Sequence, residues 1–299
     1  MGSNPAATAE SGDNYILSRN FLSSARLTAQ HCLFVLKNGF LLHPKIAKYI
    51  QHTSTRTESL EIADIAAGNG IVGLTLAHEH PQAKVVALDI SAEQYPPVWT
   101  RPENIDFGIW NFFDPLPEEF VGRFDVVHVR AICVPLMAGG IEAVIKKLVQ
   151  MLKPGGYIQW YETVSKCFAE LDQSLDPLPL SADYFRLFDK YVGLFSSIRQ
   201  FDRLATELES EGLVEVERTD SPIMPYLLKQ ETDFVLWSCD EVLDTLRRRG
   251  GILDMKELEV ARDQLTAEVA RGKCLTYTMA TFIGRKPWTV VNKECEVVA

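Results

Sequence analysis

The run of apolar and polar positions divides this chain into three stretches of different character. Between residues 60 and 165, short apolar segments alternate with amphipathic ones. Leu60–Ala66, Lys84–Asp89, Ile105–Ile109, Arg123–Val129 and Tyr157–Tyr161 read as strands, with helices at Ile71–His80 and Ile141–Leu152. Most of these strands are apolar along nearly their whole length rather than at every second position, the pattern of strands covered on both faces. Ser91 to Asn104 holds Pro96, Pro97 and Pro102 and predicts short helix at most.

On either side the period is helical. Tyr15 to Lys37 reads as one or two helices closed by Asn38-Gly39, and Pro44 opens a further short helix through His52. Beyond Ser165, helices are predicted at Tyr184–Ile198, Phe201–Glu211, Thr232–Arg249 and Lys256–Arg271. Strands follow the same logic at Val214–Arg218 and Leu275–Gly284. The fold class expected is α/β, a Rossmann-like, doubly wound, seven-stranded and mostly parallel sheet. Four segments follow: a disordered N-terminus (1–13), an N-terminal helical cap (14–59), a ligand-binding core (60–165), and a helical lid whose C-terminal strands complete the sheet (166–299).

Composition narrows the function classes. The 299 residues are 46% hydrophobic and 23% charged, ordinary for a protein with a real core. A net charge of −10 argues against a protein that grips nucleic-acid phosphates. The one basic run, Arg247-Arg248-Arg249, ends a helix just before Gly250-Gly251 and suits the helix dipole. The six cysteines are scattered without a C-x-x-C pair, as expected for free thiols in a reducing compartment. With no apolar run long enough to span a bilayer and no secretory pattern, a soluble, cytoplasmic protein is expected, as monomer or homodimer. No His, Cys and acidic cluster has metal-ligand spacing, so no metal is expected.

The candidate chemistry begins at Asp64-Ile65-Ala66-Ala67-Gly68-Asn69-Gly70-Ile71-Val72-Gly73. A strand, a glycine turn and a helix start make a nucleotide-binding corner, since glycines let a ligand approach the backbone and the helix offers unpaired N–H groups. Gly68-x-Gly70-x-x-Gly73 also satisfies the dinucleotide fingerprint. Asp89 ends the second strand 19 residues after Gly70 and can accept from both ribose hydroxyls. It fits NAD and S-adenosyl-L-methionine equally. Asp64 separates them: a carboxylate within the strand costs several kcal/mol unless paired, and the sulfonium cofactor brings an ammonium.

Asp64…Gly68-x-Gly70, Asp89, Phe124-Asp125-Val126-Val127 and Leu152-Lys153-Pro154-Gly155-Gly156 match, in order and spacing, class I S-adenosylmethionine-dependent methyltransferases. The resemblance covers about residues 60 to 165. Ala66 departs from it, standing where the family has its first glycine; alanine does not easily take positive φ, so a slightly different turn is expected. The resemblance implies that Asp64, Ala66, Gly68, Asn69 and Gly70 cradle the cofactor and that Asp89, with Ile90 beside it, holds the ribose. Asn111, Phe112 and Phe113 would line the adenine, and Val129 and Arg130 would face the methionine end. Tyr15-x-Leu17-x-Arg19, Ala25-Arg26-Leu27-x-x-Gln30-His31, Leu41-Leu42-His43-Pro44 and Ile158-Gln159-Trp160-Tyr161-Glu162 further resemble fungal secondary-metabolism methyltransferases, including the gliotoxin-type thiol methyltransferases. Arg26 and Gln30 are then expected at the cofactor pocket.

Methyl transfer from a sulfonium is an in-line displacement, so the protein must orient the nucleophile and exclude water. Tyr15, His31 and Arg130 are the candidate catalytic groups, and Trp160, Glu162, Tyr191 and Trp237 the candidate substrate contacts. The expected reaction is methylation of a small natural product, with S-adenosyl-L-homocysteine as product and a thiol slightly favoured over a hydroxyl. No Asn/Asp-Pro-Pro-Tyr run follows the fourth strand, which disfavours methylation of DNA-base amino groups. Three alternatives stay open: a cofactor-binding regulator, a rearrangement without methyl transfer, and an NAD-dependent reductase.

Overall fold

The computed structural model describes residues 17–53, 59–171, 177–178, 183–248 and 255–288. The expected disordered stretch 1–13 and the candidate Tyr15 lie outside the described residues.

Five strands form in the core. β1 (Leu60–Ile65), β2 (Ala83–Asp89), β3 (Ile105–Ile109) and β4 (Phe124–Arg130) pair in parallel with one another, and β4 pairs in parallel with β5 (Leu152–Leu171). The two-residue β6 (Pro177–Leu178) pairs with the far end of β5. β7 (Val214–Asp220) and β8 (Cys274–Arg285) run antiparallel, giving the order β3-β2-β1-β4-β5-β8-β7. This is the expected mostly parallel, doubly wound sheet of seven strands, with β6 as an added short one. Burial explains the unbroken apolar runs, since all seven residues of β4 but Arg130 are buried.

Lys153-Pro154-Gly155-Gly156 does not stand apart as a turn. It is absorbed into β5 as an irregularity between the Phe124–Leu152 and Val126–Tyr157 pairings, with Gly155 at φ 81°. β5 also runs past the predicted Tyr161, because β8 stays paired with it to Leu171.

Helices cover the sheet. α1 (Phe21–Asn38) starts where the Asn20 side chain accepts the Ser23 N–H at 3.0 Å and stops at Gly39, which takes φ 75°. α2 (Pro44–Thr53) and α3 (Ile71–Glu79) pack on one sheet face through Ile46, Ile50, Val72 and Leu76. α4 (Ile141–Met151) packs on the other face. α5 (Asp183–Val192), α6 (Leu194–Ile198) and α7 (Leu204–Ser210) follow β6, and α7 joins α4 on its face. α8 (Leu228–Arg248) and α9 (Met255–Ala270) lie between β7 and β8. They share with α1 and α5 a separate apolar cluster that includes Phe34, Tyr161, Phe188, Val235 and Leu258. Of the two helices before the first strand, α1 thus packs with the helices between the last two strands, while α2 does not share that cluster. None of the described helices is long and apolar enough to cross a membrane.

Candidate cofactor and acceptor site

In this strand order the chain reverses direction beside β1, where β2 lies on one flank and β4 on the other. Crevices at such switch points open beyond the C-terminal ends of the strands. Here a cavity of about 650 Å³ opens there, of a size suited to a nucleoside-containing ligand.

Its floor is the glycine corner. Ala66 takes φ 56°, Gly68 φ 58° and Gly70 φ 78°. The alanine thus adopts the left-handed conformation that a glycine takes freely, at the cost of strain in Ala66. Gly68 donates its N–H to Asp89 Oδ2 at 2.8 Å, and Ser91 N–H donates to Oδ1 at 3.1 Å, which fixes the Asp89 carboxylate at the cavity wall. Burial pushes the Asp89 carboxyl upward, and these backbone donors pull against it. Each glycine is there for a close approach. A Cβ on Gly68 would lie 2.9 Å from Leu27 Cδ1, and one on Gly70 2.4 Å from Phe107 Cε1.

Asp64 lines the same cavity but is already engaged. Its Oδ2 accepts Gly73 N–H and its Oδ1 accepts from His128 Nδ1, both at 3.0 Å; Asp64 and His128 are register partners on β1 and β4. This is how a buried carboxylate is tolerated inside the strand.

Past β3, Asn111, Phe112 and Phe113 line the cavity together with Trp110. Asn111 Oδ1 accepts Phe113 N–H at 3.0 Å and shapes this loop, while Lys147 Nζ ties the carbonyls of Phe112, Phe113 and Asp114 to α4.

α1 forms the roof. Leu27 and Gln30 face the cavity, and Asn69 Nδ2 donates to Ser24 O at 2.9 Å and to Thr28 Oγ1 at 3.0 Å. One turn on, His31 lies between α3 and β4. Arg130 NH1 is 3.1 Å from His31 Nδ1, and a guanidinium can only donate, so Nδ1 accepts. The ring proton then sits on Nε2, facing Thr75 Oγ1 at 3.3 Å, and that hydroxyl donates to Ile71 O at 2.7 Å. Burial, helped by the Arg130 charge, pushes His31 down to about 4, so the ring is neutral near pH 7. Burial likewise lowers Arg130 to about 10 against the pull of Asp64, which leaves it charged.

Of the residues expected at the cofactor, the cavity brings together Asp64, Ala66, Gly68, Asn69, Asp89, Ile90, Asn111, Phe112, Phe113, Arg130 and Gln30. Others lie elsewhere. Val129 is fully buried in the sheet core, and the missing Cβ of Gly70 faces Phe107. Arg26 points away from the cavity to Glu241 on α8, at 2.5 Å, because that carboxylate is its buried partner.

Three of the expected substrate contacts are also placed differently. Trp160 is a core residue whose Nε1 donates to Glu162. Glu162 sits behind the loop after β4, accepting Ile132 N–H at 2.7 Å and Thr163 N–H at 2.9 Å, and burial raises it to about 7. Trp237 lines a separate groove with Asp240 and Arg262. Tyr191 falls in α5.

Sequence reasoning missed Ser24, Leu27 and Thr28 on the roof, and Val134, Pro135 and Met137 after β4. The first three, with His31, repeat at helical spacing on one face of α1, a signal that was available.

Comparison with known proteins agrees with this geometry. Residues 62–156 match the family model described as a methyltransferase domain. Over 164 residues the chain is 31% identical to the methyltransferase grgD of a Penicillium species, covering 52% of this chain and 54% of that one. It is 31% identical over 156 residues to the N-methyltransferase verN of Clonostachys rogersoniana, covering 51% and 52%. It is 26% identical over 156 residues to the N-methyltransferase gliN of Aspergillus fumigatus, covering 51% of each. The matched stretch spans about half the length of these curated relatives. The glycine corner and Asp89 fall within the matched residues 62–156, and over about half its length the chain is similar to methyltransferases of Penicillium, Clonostachys and Aspergillus.

Proposed function

We propose that this protein transfers a methyl group from S-adenosyl-L-methionine to a small-molecule acceptor. The observation that carries the reading is the convergence on one cavity of the Gly68 turn, Asp89 and Asn111–Phe113 under the roof of Leu27 and Gln30. Asp89 offers carboxylate oxygens to a ribose, Ile90 and Phe112 offer apolar surface to a purine, and α1 closes over the site to exclude water.

The chemistry of the cavity bears on the acceptor. Among the described residues, the groups able to take a proton at the Arg130 end are already committed: His31 Nδ1 to Arg130, Asp64 to Gly73 and His128. A phenol, with a pKa of about 10, benefits from a general base, whereas a neutral amine brings its own lone pair and a thiol of about 8.5 is partly ionised. Amine nitrogen is the acceptor best supported, and the names of verN and gliN as N-methyltransferases point the same way. Thiol sulfur comes second; the expectation of a thiol slightly favoured over a hydroxyl does not include nitrogen. The test is a panel of matched small amines, thiols and phenols with labelled cofactor. Label in amines or thiols supports the proposal; label only in phenols overturns the acceptor assignment, and label only in macromolecules overturns the function.

A further inference from the structure

We propose that Glu162 is a positioning residue: its ionised carboxylate latches the loop after β4 into the cavity wall, and a proton slackens the latch. The kinetic consequence rests on the methyl-transfer reading above; the latch itself does not.

β4 and β5 stay paired up to Arg130 and Tyr161, and one more backbone bond, from Ala131 N–H to Tyr161 O at 2.9 Å, closes the ladder. Ala131 then takes φ 51°, left-handed and strained for an alanine, and the chain leaves the sheet. The next N–H, that of Ile132, donates not to a strand carbonyl but to Glu162 Oε2 at 2.7 Å. From there on Ile132, Val134, Pro135 and Met137 line the cavity. A side chain on β5 thus holds the first residue of a cavity wall that the sheet itself does not hold.

The surroundings of the carboxylate suit an anion. Glu162 is fully buried, and its hydrogen-bond partners all donate. Ile132 N–H and Trp160 Nε1 meet Oε2, Thr163 N–H meets Oε1, and the Cys133 thiol adds a fourth donor. Among the described residues no cation pairs with it. β8 presents Ala280 opposite it, and Arg199, Asp202 and Arg203, on the segment whose Phe201 packs against Trp160, are exposed.

These partners offer no strong acceptor for a carboxyl proton, and protonation turns charge-assisted bonds into neutral ones of about half the strength. Burial nevertheless raises the group to about 7, so the proton comes and goes near neutrality. Burial favours the proton; the loop favours its loss.

Two measurements on the full chain test the latch. The first is hydrogen exchange corrected for the intrinsic rate. Protection of the 131–139 amides should rise about tenfold from pH 6 to 8, the difference between a neutral and a charge-assisted bond. The β2 amides, which report global unfolding, should show no such rise, and in Glu162→Gln the loop should lose it too. Loop protection that stays level with pH, or falls together with β2, overturns the proposal. The second is turnover of an amine acceptor, where the ratio of wild-type to Glu162→Gln kcat/KM cancels the acceptor's own ionisation. That ratio should climb about tenfold over the same range. A ratio that is large but constant with pH would make Glu162 a packing residue and overturn the latch. If no acceptor is methylated, the methyl-transfer reading fails, and the exchange measurement alone decides the latch.

Discussion

The glycine corner and helix α1 face each other across one cavity, yet they are held by opposite means. The corner is built from close neighbours in sequence and backbone geometry: Gly68 N–H on Asp89, Ile71 N–H on Asn69, and a left-handed run through Ala66, Gly68 and Gly70. The roof is held by charge pairs between distant parts of the chain. Lys37 Nζ reaches Glu231 Oε2 at 2.8 Å and Arg26 Nε reaches Glu241 Oε2 at 2.5 Å, both on α8 and all four side chains buried or nearly so. One side of the site is therefore sensitive to shape, the other to charge.

The largest effect is expected on the roof. Glu231→Ala leaves Lys37 buried and unpaired, beside Tyr277 O and Thr276. Urea unfolding should show a loss of about 3–5 kcal/mol, whereas the joint Lys37→Met, Glu231→Leu variant should recover most of it. A loss as large in the double variant would mean that packing rather than charge holds α1.

Next comes the loop that carries Arg130 into the cavity. Glu162, raised to about 7, binds a proton in the folded state more readily than when unfolded, so its contribution to stability falls as pH rises from about 4.5 to 7. His31, lowered to about 4, does the reverse, and its contribution rises with pH between about 4 and 6.5. Unfolding free energies measured across this range should tilt in opposite directions for the two variants. Relative to wild type, Glu162→Gln should gain stability with rising pH, by up to about 3 kcal/mol, and His31→Asn should lose it. Parallel curves would remove the assigned protonation states.

The corner answers to smaller changes. Gly70→Ala combines φ 78° with a Cβ 2.4 Å from Phe107, so a loss of about 2 kcal/mol is expected, with weakened cofactor binding. Ala66→Gly relieves a left-handed alanine. The gain, offset by glycine's freedom in the unfolded chain, should lie between zero and about 1 kcal/mol in thermal unfolding.

The same contrast explains what could be read in advance. The sheet, the corner and Asp89 follow from periodicity, glycine spacing and one acidic residue at a strand end, all local signals. Arg26 shows the limit. Its type and its place on an otherwise apolar helix suggested a cavity residue, but Glu241 lies 215 positions away and nothing in a single sequence pairs them. Trp160 and Glu162 failed for a related reason: their strand was recognised, but not which of its residues face the site and which face the core. Ala66 failed more narrowly, since local preference excluded a dihedral that the surrounding structure imposes.

The central claim is that the cavity between this corner and this roof is built for a sulfonium nucleoside. Calorimetry of the full chain with S-adenosylmethionine, S-adenosylhomocysteine and NAD tests it most directly. One molecule of either sulfur nucleoside should bind per chain with micromolar or tighter affinity, and NAD should give no heat; binding of NAD without either of the others would contradict the account.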